Sequence, residues 1–269
     1  MNLKDRVAVI TGAGSGIGQA VALSLARRGC HLALADINEA GLARTLARTT
    51  ALGVRTSGHR LDVASRGAVA VLPTEVMQAH DRVDLLVNNA GVALAGSFDE
   101  VSEADFDWLF EINFHGVVRM TRAFLPLLRA SDDARIVNLS SVFGLISPPG
   151  QCAYSASKFA VRGFSNSLRL ELAGTRVGVS VVHPGGVATA IARSARIPRD
   201  APADEMRRRL ALAEKMLRMP PEKAGEIIVR GVEKRRARIL IGWDAVIVSL
   251  LERLVPVNYW RVLERRLKA

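Results

Sequence analysis

Along the chain, short continuous apolar runs alternate with longer stretches in which apolar residues recur every three or four positions. The short runs are rich in Val, Ile and Leu, and they predict strands near 6–11, 31–36, 54–60, 84–87, 134–140, 176–183 and 238–241. The longer stretches predict helices over 17–29, 39–52, 65–80, 102–130, 151–173 and 221–235. Strand and helix alternating throughout imply an α/β fold, a parallel sheet covered on both faces. At 269 residues one such domain is expected, and no repeat, low-complexity tract or linker divides the chain.

The first strand runs directly into Gly12-Ala-Gly-Ser15-Gly16-Ile17-Gly18 and then a helical pattern. Strand, glycine turn and helix form the context in which small residues let a backbone approach a pyrophosphate, with the helix N-terminus offering N–H groups and a positive dipole end. The second strand ends at Asp36, whose carboxylate suits ribose hydroxyls and repels a 2′-phosphate; Ile37 beside it supplies no compensating cation. These features favour NAD over NADP. Asp36 also reads as the cap of the helix that follows. Asp62-Val63, after the third strand, suits the edge of an adenine ring, and Asp62 reads equally as a cap for the helix starting at Ser65.

Tyr154 and Lys158 are four apart, one helical turn, with Ser141 thirteen residues before the tyrosine. A free phenol titrates near 10. An adjacent ammonium favours the phenolate and is expected to bring Tyr154 toward the range of a useful acid/base. Ser141 then offers a hydroxyl to hold a carbonyl or alcohol oxygen.

Together, Thr11-Gly-Ala-Gly-Ser-Gly-Ile-Gly18, Asp62-Val63, Asn88-Asn-Ala-Gly91, Asn113, Ser140-Ser141, Tyr154-Ser-Ala-Ser-Lys158 and Pro184-Gly185 resemble the short-chain dehydrogenase/reductase family, from about residue 4 to about residue 242. The resemblance implies a single Rossmann-like, doubly wound domain with a seven-stranded parallel sheet, a variable substrate lid at about 188–220 and a C-terminal helical extension, 243–269. It implies that Asn113 holds a water relaying protons to Lys158, that Ser141 orients the substrate oxygen, and that Tyr154 exchanges a proton with it. Lys158 would also bind the nicotinamide ribose. Asn89, Ala90 and Gly91 would flank the cofactor, and Pro184, Gly185, Val187 and Thr189 would hold its carboxamide. No catalytic position departs from the family pattern. His115 and His183 are read as structural.

The implied activity is hydride transfer between NAD(H) and a secondary alcohol or ketone. The alternatives are an NADP-dependent carbonyl reductase and a non-catalytic NAD-sensing protein, whose mark would be loss of Ser141, Tyr154 or Lys158. Cys30 and Cys152 make neither a disulfide framework nor a metal pattern, and no metal is expected. A first strand at residue 6 leaves no room for a cleaved leader, so a cytoplasmic location is expected.

Charge adds a further constraint. Residues 1–187 carry 18 Lys/Arg against 16 Asp/Glu, whereas 188–269 carry 19 against 10. A basic C-terminal third suggests an anionic neighbour. Nucleic acid is not expected, since no recognition motif or stacking platform accompanies the charge. In the lid, Met206, Leu210, Leu212, Ala213, Met216 and Leu217 recur at helical spacing. They suit a lipophilic substrate of steroid, retinoid or fatty-acyl type, or else a helix packed on the surface. The tail joins an apolar stretch, 245–251, to Tyr259, Trp260 and several arginines, which fits subunit packing or a membrane surface. A homodimer or homotetramer pairing through 102–130 and 151–173 is expected by resemblance.

Overall fold

The computed structural model describes residues 1–198, 211 and 214–268. Seven strands form one sheet: β1 (Val7–Thr11), β2 (His31–Asp36), β3 (Thr56–Arg60), β4 (Leu85–Asn88), β5 (Ala134–Leu139), β6 (Val177–Pro184) and β7 (Arg238–Ile241). Their order is β3-β2-β1-β4-β5-β6-β7, and every neighbouring pair is parallel. The chain reverses direction across the sheet between β1 and β4, and the crevice beyond the strand ends at such a point is where doubly wound folds bind ligands.

The helices are α1 (Gly16–Ala26), α2 (Glu39–Thr50), α3 (Arg66–Ala79), α4 (Glu103–Phe110), α5 (Gly116–Ala130), α6 (Cys152–Glu171), α7 (Pro221–Glu233), α8 (Trp243–Leu254) and α9 (Tyr259–Lys268). The helix expected over 102–130 is interrupted by one wider π turn, Glu111–His115, between α4 and α5. An extra residue in a helical turn leaves the hydrophobic spacing nearly intact, so the sequence pattern does not reveal it.

Both sheet faces are buried, which is why the strands read as unbroken apolar runs. On one face Ile10, Leu34, Val87 and Val182 pack against Val21, Leu25, Ile228 and Val232 of α1 and α7. On the other, Val9, Leu86 and Ile136 pack against Val76, Phe124, Leu128 and Leu168 of α3, α5 and α6.

The opposite end of the sheet is tied by a buried carboxylate. Asp84, just before β4, accepts from the Val7 N–H at 2.9 Å, the Ser131 hydroxyl at 2.6 Å, Arg82 at 2.6 Å and Arg6 at 3.1 Å. Burial pushes its pKa up, but these donors together outweigh burial and hold it below the usual carboxylate range. The cluster joins β1, β4 and the start of β5. Asp84→Ala would leave the Val7 N–H and the Ser131 hydroxyl without their acceptor and Arg6 and Arg82 with Asp132 alone, so it is expected to cost about 2–4 kcal/mol of stability in chemical denaturation. A loss within experimental error would mean that the network is not structural.

Candidate active site

The glycine turn is held from both sides. Gly12 adopts φ +65°, and a Cβ there would lie 2.7 Å from the Asn89 amide nitrogen. At Gly18 a Cβ would come within 2.1 Å of the Gly12 carbonyl, so only glycine lets α1 start so close beneath the turn. Asn89 donates to the carbonyls of Thr11 and Gly12, each at 3.0 Å. In return the Thr11 hydroxyl accepts from the Asn89 and Ala90 N–H groups at 3.1 Å. The turns after β1 and β4 are thereby zipped together at the switch point. Ser15 makes no side-chain cap on α1, so the N–H groups of the first turn, at Gly16, Ile17 and Gly18, have no capping partner from it.

Asp36 accepts from the Gly14 N–H at 2.7 Å and from the Asn38 N–H at 2.8 Å. Its carboxylate therefore buttresses the glycine turn. The α2 cap is Asn38, which accepts from Gly41, and not Asp36. Likewise Ser65 caps α3, while Asp62 accepts from the Ala64 N–H at 2.9 Å and shapes the turn after β3. Val63 is buried where α5 begins: a Cβ on Gly116 would sit 2.9 Å from it. Thr45 was not singled out by the sequence, yet its buried hydroxyl donates to the Ala13 carbonyl at 2.9 Å.

Pro184 ends β6, and the segment after it turns back over the glycine turn. A Cβ on Gly16 would meet the Thr189 methyl at 3.0 Å. Gly185 donates to the Ile241 carbonyl at 2.9 Å, and Val187, buried, bridges to Met219. The Gly186 N–H donates to Asp244 at 2.7 Å. Asp244 lies in the first turn of α8, so the C-terminal extension is wired into this loop.

Ser141, Tyr154 and Lys158 come together at the C-terminal end of β5. Ser141 follows the strand and its hydroxyl accepts from the Phe143 N–H at 3.1 Å. Tyr154, in the first turn of α6, has its hydroxyl in hydrogen-bond contact with Ser141. Lys158 is buried, lies 5.6 Å from the Tyr154 ring centre and donates to the Leu139 carbonyl at 3.2 Å. Burial pushes the phenol up to about 12, more than the Ser141 hydrogen bond pulls it down, and pushes the lysine down to about 8. The phenol is thus raised, not lowered as the sequence suggested, because desolvation of the phenolate outweighs the Ser141 hydrogen bond.

Asn113 sits inside the π turn. Its amide accepts from the Val92 N–H at 2.8 Å and donates to the Val92 carbonyl at 3.0 Å and the Ser157 hydroxyl at 3.2 Å. Ser157 in turn donates to the Tyr154 carbonyl at 2.7 Å. Asn113 therefore pins the loop after β4 to the helix carrying Tyr154. A Cβ on Gly91 would lie 3.1 Å from the Asn113 oxygen and 3.4 Å from the Lys158 nitrogen, so glycine keeps the space between them open.

Below these groups His183 donates from Nδ1 to the Ser141 carbonyl at 2.9 Å, and burial pushes it down to about 4. It is a neutral brace for the serine. His115 is exposed, its ring tilted at 57° to that of Phe114. Phe143 meets Tyr154 edge-on at 6.1 Å. Leu94, Leu109, Trp108 and Ala153 form an apolar cluster with Tyr154, and Arg196 covers Trp108 at 3.7 Å. Of the expected lid, 188–198, 211 and 214–220 are described, with Met216 half exposed, whereas Met206, Leu210, Leu212 and Ala213 lie outside the described residues. Among the described residues no acidic, His or Cys cluster could hold a metal.

The sequence profile of the short chain dehydrogenase family matches residues 6–200. The chain is 44% identical over 268 residues to the putative oxidoreductase SadH of Mycobacterium tuberculosis, covering 97% of this chain and 95% of that protein. A short-chain dehydrogenase/reductase from Burkholderia phymatum, solved with NAD, superimposes with a TM-score of 0.87 at 34% identity, covering 94% of each chain. An alcohol dehydrogenase from Thermococcus sibiricus, solved with 5-hydroxy-NADP, superimposes with a TM-score of 0.74 at 27% identity, covering 89% of this chain and 95% of that one. With its sheet order, glycine turn and clustered Ser141, Tyr154 and Lys158, the chain belongs to the short-chain dehydrogenase/reductase family of NAD(P)-dependent oxidoreductases.

Proposed function

We propose that this protein interconverts a secondary alcohol and its ketone with NAD as the preferred cofactor. The observation that carries this reading is the meeting of Ser141, Tyr154 and Lys158 beside the turn zipped by Thr11 and Asn89. In this proposal the first-turn N–H groups of Gly16, Ile17 and Gly18, with Gly12 and Ser15, cradle the pyrophosphate. Asp36 faces the adenosine ribose, Asp62 and Val63 flank the adenine, and Asn89, Ala90 and Gly91 line the middle of the cofactor. Lys158 holds the nicotinamide ribose, while Pro184, Gly185, Val187 and Thr189 hold the carboxamide. The bound nicotinamide supplies or accepts the hydride.

The side chains then do the rest. Ser141 positions the substrate oxygen against Tyr154, and the phenol donates its proton to that oxygen in reduction or takes it in oxidation. Lys158, charged below its value of about 8, stabilises the transient phenolate. Asn113 fixes the loop that faces Lys158 and would seat the relay water there. The Asp36 carboxylate and the exposed Ile37 beside it disfavour a 2′-phosphate. The bound NAD of the Burkholderia protein and the activity of the Thermococcus protein support the cofactor and the alcohol chemistry. The apolar cluster of Leu94, Leu109 and Trp108, with Phe143 beside Tyr154, suits a lipophilic substrate. Two free thiols, Cys30 and Cys152, fit a reducing cytoplasm. Pairing through α4–α5 and α6 would give the expected homodimer or homotetramer.

A panel of secondary alcohols and ketones followed by NADH absorbance tests the reaction class. Oxidation needs the phenol deprotonated and reduction needs it protonated. Between about pH 5 and about pH 7 the free phenol stays protonated and Lys158 charged. Oxidation is therefore expected to rise with pH, by at most about tenfold per unit, while reduction stays flat. The opposite dependence would remove Tyr154 from the proton step. Asp36→Ala is expected to raise NADP affinity relative to NAD by about tenfold, or roughly 1.4 kcal/mol. An unchanged ratio would place cofactor choice elsewhere.

A further inference from the structure

The two faces of α8 differ sharply. Ala245, Val248 and Ser249 are buried, and Val248 packs on Leu145 and Ile146 just after the Ser141 turn. Trp243, Ile247, Leu250 and Leu254 follow one another at helical spacing along the outer face and are 81%, 50%, 53% and 79% exposed. Val257, just past the helix, continues the stripe at 85% exposed. Trp243 opens the stripe, Arg253 flanks it, and the following helix brings Arg261 with Arg265, Arg266 and Lys268 in its sequence. Among the described residues no helix is long and apolar enough to cross a membrane.

From this arrangement we infer that α8 and α9 dock the protein on an anionic lipid bilayer, lying in its interface. An apolar stripe one helix wide, an aromatic at its end and cations at its margin are the features that such a surface rewards. The small area of the stripe and the basic balance of the extension argue for lipid over a second copy of the chain. Five side chains supply less than the roughly 800 Å² per partner that a stable two-fold interface needs. Anionic headgroups complement the extension itself, residues 243–269, which carries five basic against three acidic residues, within a C-terminal third of 19 against 10.

The docked face is also tied to the catalytic end. The Ser147 N–H donates to the Tyr259 hydroxyl at 3.1 Å, and Asp244 holds Gly186 at 2.7 Å. Both loops border Ser141 or the glycine turn, so a docked extension would bring the substrate side of the site close to the lipid. Docking itself is independent of the dehydrogenase reading; delivery of a lipophilic substrate from the bilayer rests on it.

The test is co-sedimentation of the full chain with phosphatidylcholine vesicles, with and without phosphatidylglycerol. The bound fraction is expected to rise at least about tenfold when phosphatidylglycerol is present and to fall with added salt. Replacing Ile247, Leu250 and Leu254 together by Glu is expected to abolish retention while the chain still unfolds cooperatively, since half or more of each side chain is exposed. Wild-type protein that stays in the supernatant, or a variant that sediments as well as wild type, would overturn the proposal. If wild type ignores vesicles but its solution mass drops on the triple substitution, a second copy covers the stripe and the proposal fails.

Discussion

A phenol and an ammonium held together out of water set the terms for the rest of the molecule. Burial disfavours the charged form of each and pushes Tyr154 up to about 12 and Lys158 down to about 8, so near neutral pH the phenol is protonated and the lysine still charged. A group so displaced can give up or take a proton only when the surroundings stabilise the charged form at that moment. Lys158 is the cation placed to do so, and its donation to the Leu139 carbonyl keeps it from wandering. The proton chemistry of the site therefore depends on how rigidly these two side chains are held.

That rigidity is distributed over the fold. Ser157 ties the Tyr154 backbone to Asn113, Asn113 ties the π turn to Val92, and His183 steadies Ser141 from beneath. Further along, Asn88 donates to Asn138, and Asn138 donates to Ser165, a buried amide ladder linking β4, β5 and α6. The paired atoms of these buried groups favour one arrangement, because a shift would strand them, although the Asn88 Oδ1 and His183 Nε2 already have no partner among the described residues. The glycine turn is locked by the same logic through Thr11 and Asn89.

The strands and most helices were legible because parallel strands buried on both faces leave continuous apolar runs, and amphipathic helices leave a 3.6-residue period. The cofactor glycines and the trio of Ser141, Tyr154 and Lys158 were legible from spacing and family resemblance. Three features were not. The π turn at Asn113 hardly disturbs the hydrophobic period. The direction of the Tyr154 shift is set by burial, which outweighs the Ser141 hydrogen bond and which spacing cannot weigh. Asp244 reaches Gly186 across 58 residues, a contact with no local signature, so the extension read as a tail is in fact a brace for the loop over the glycine turn.

The central claim, that the Tyr154 hydroxyl moves the proton while the other groups bind and orient, is tested most directly by comparing Tyr154→Phe with wild type for NAD affinity and for single-turnover NADH formation. Removing only the hydroxyl should leave NAD binding within about twofold while lowering turnover by about 10²–10⁴-fold. Equal turnover in the two proteins would contradict the account.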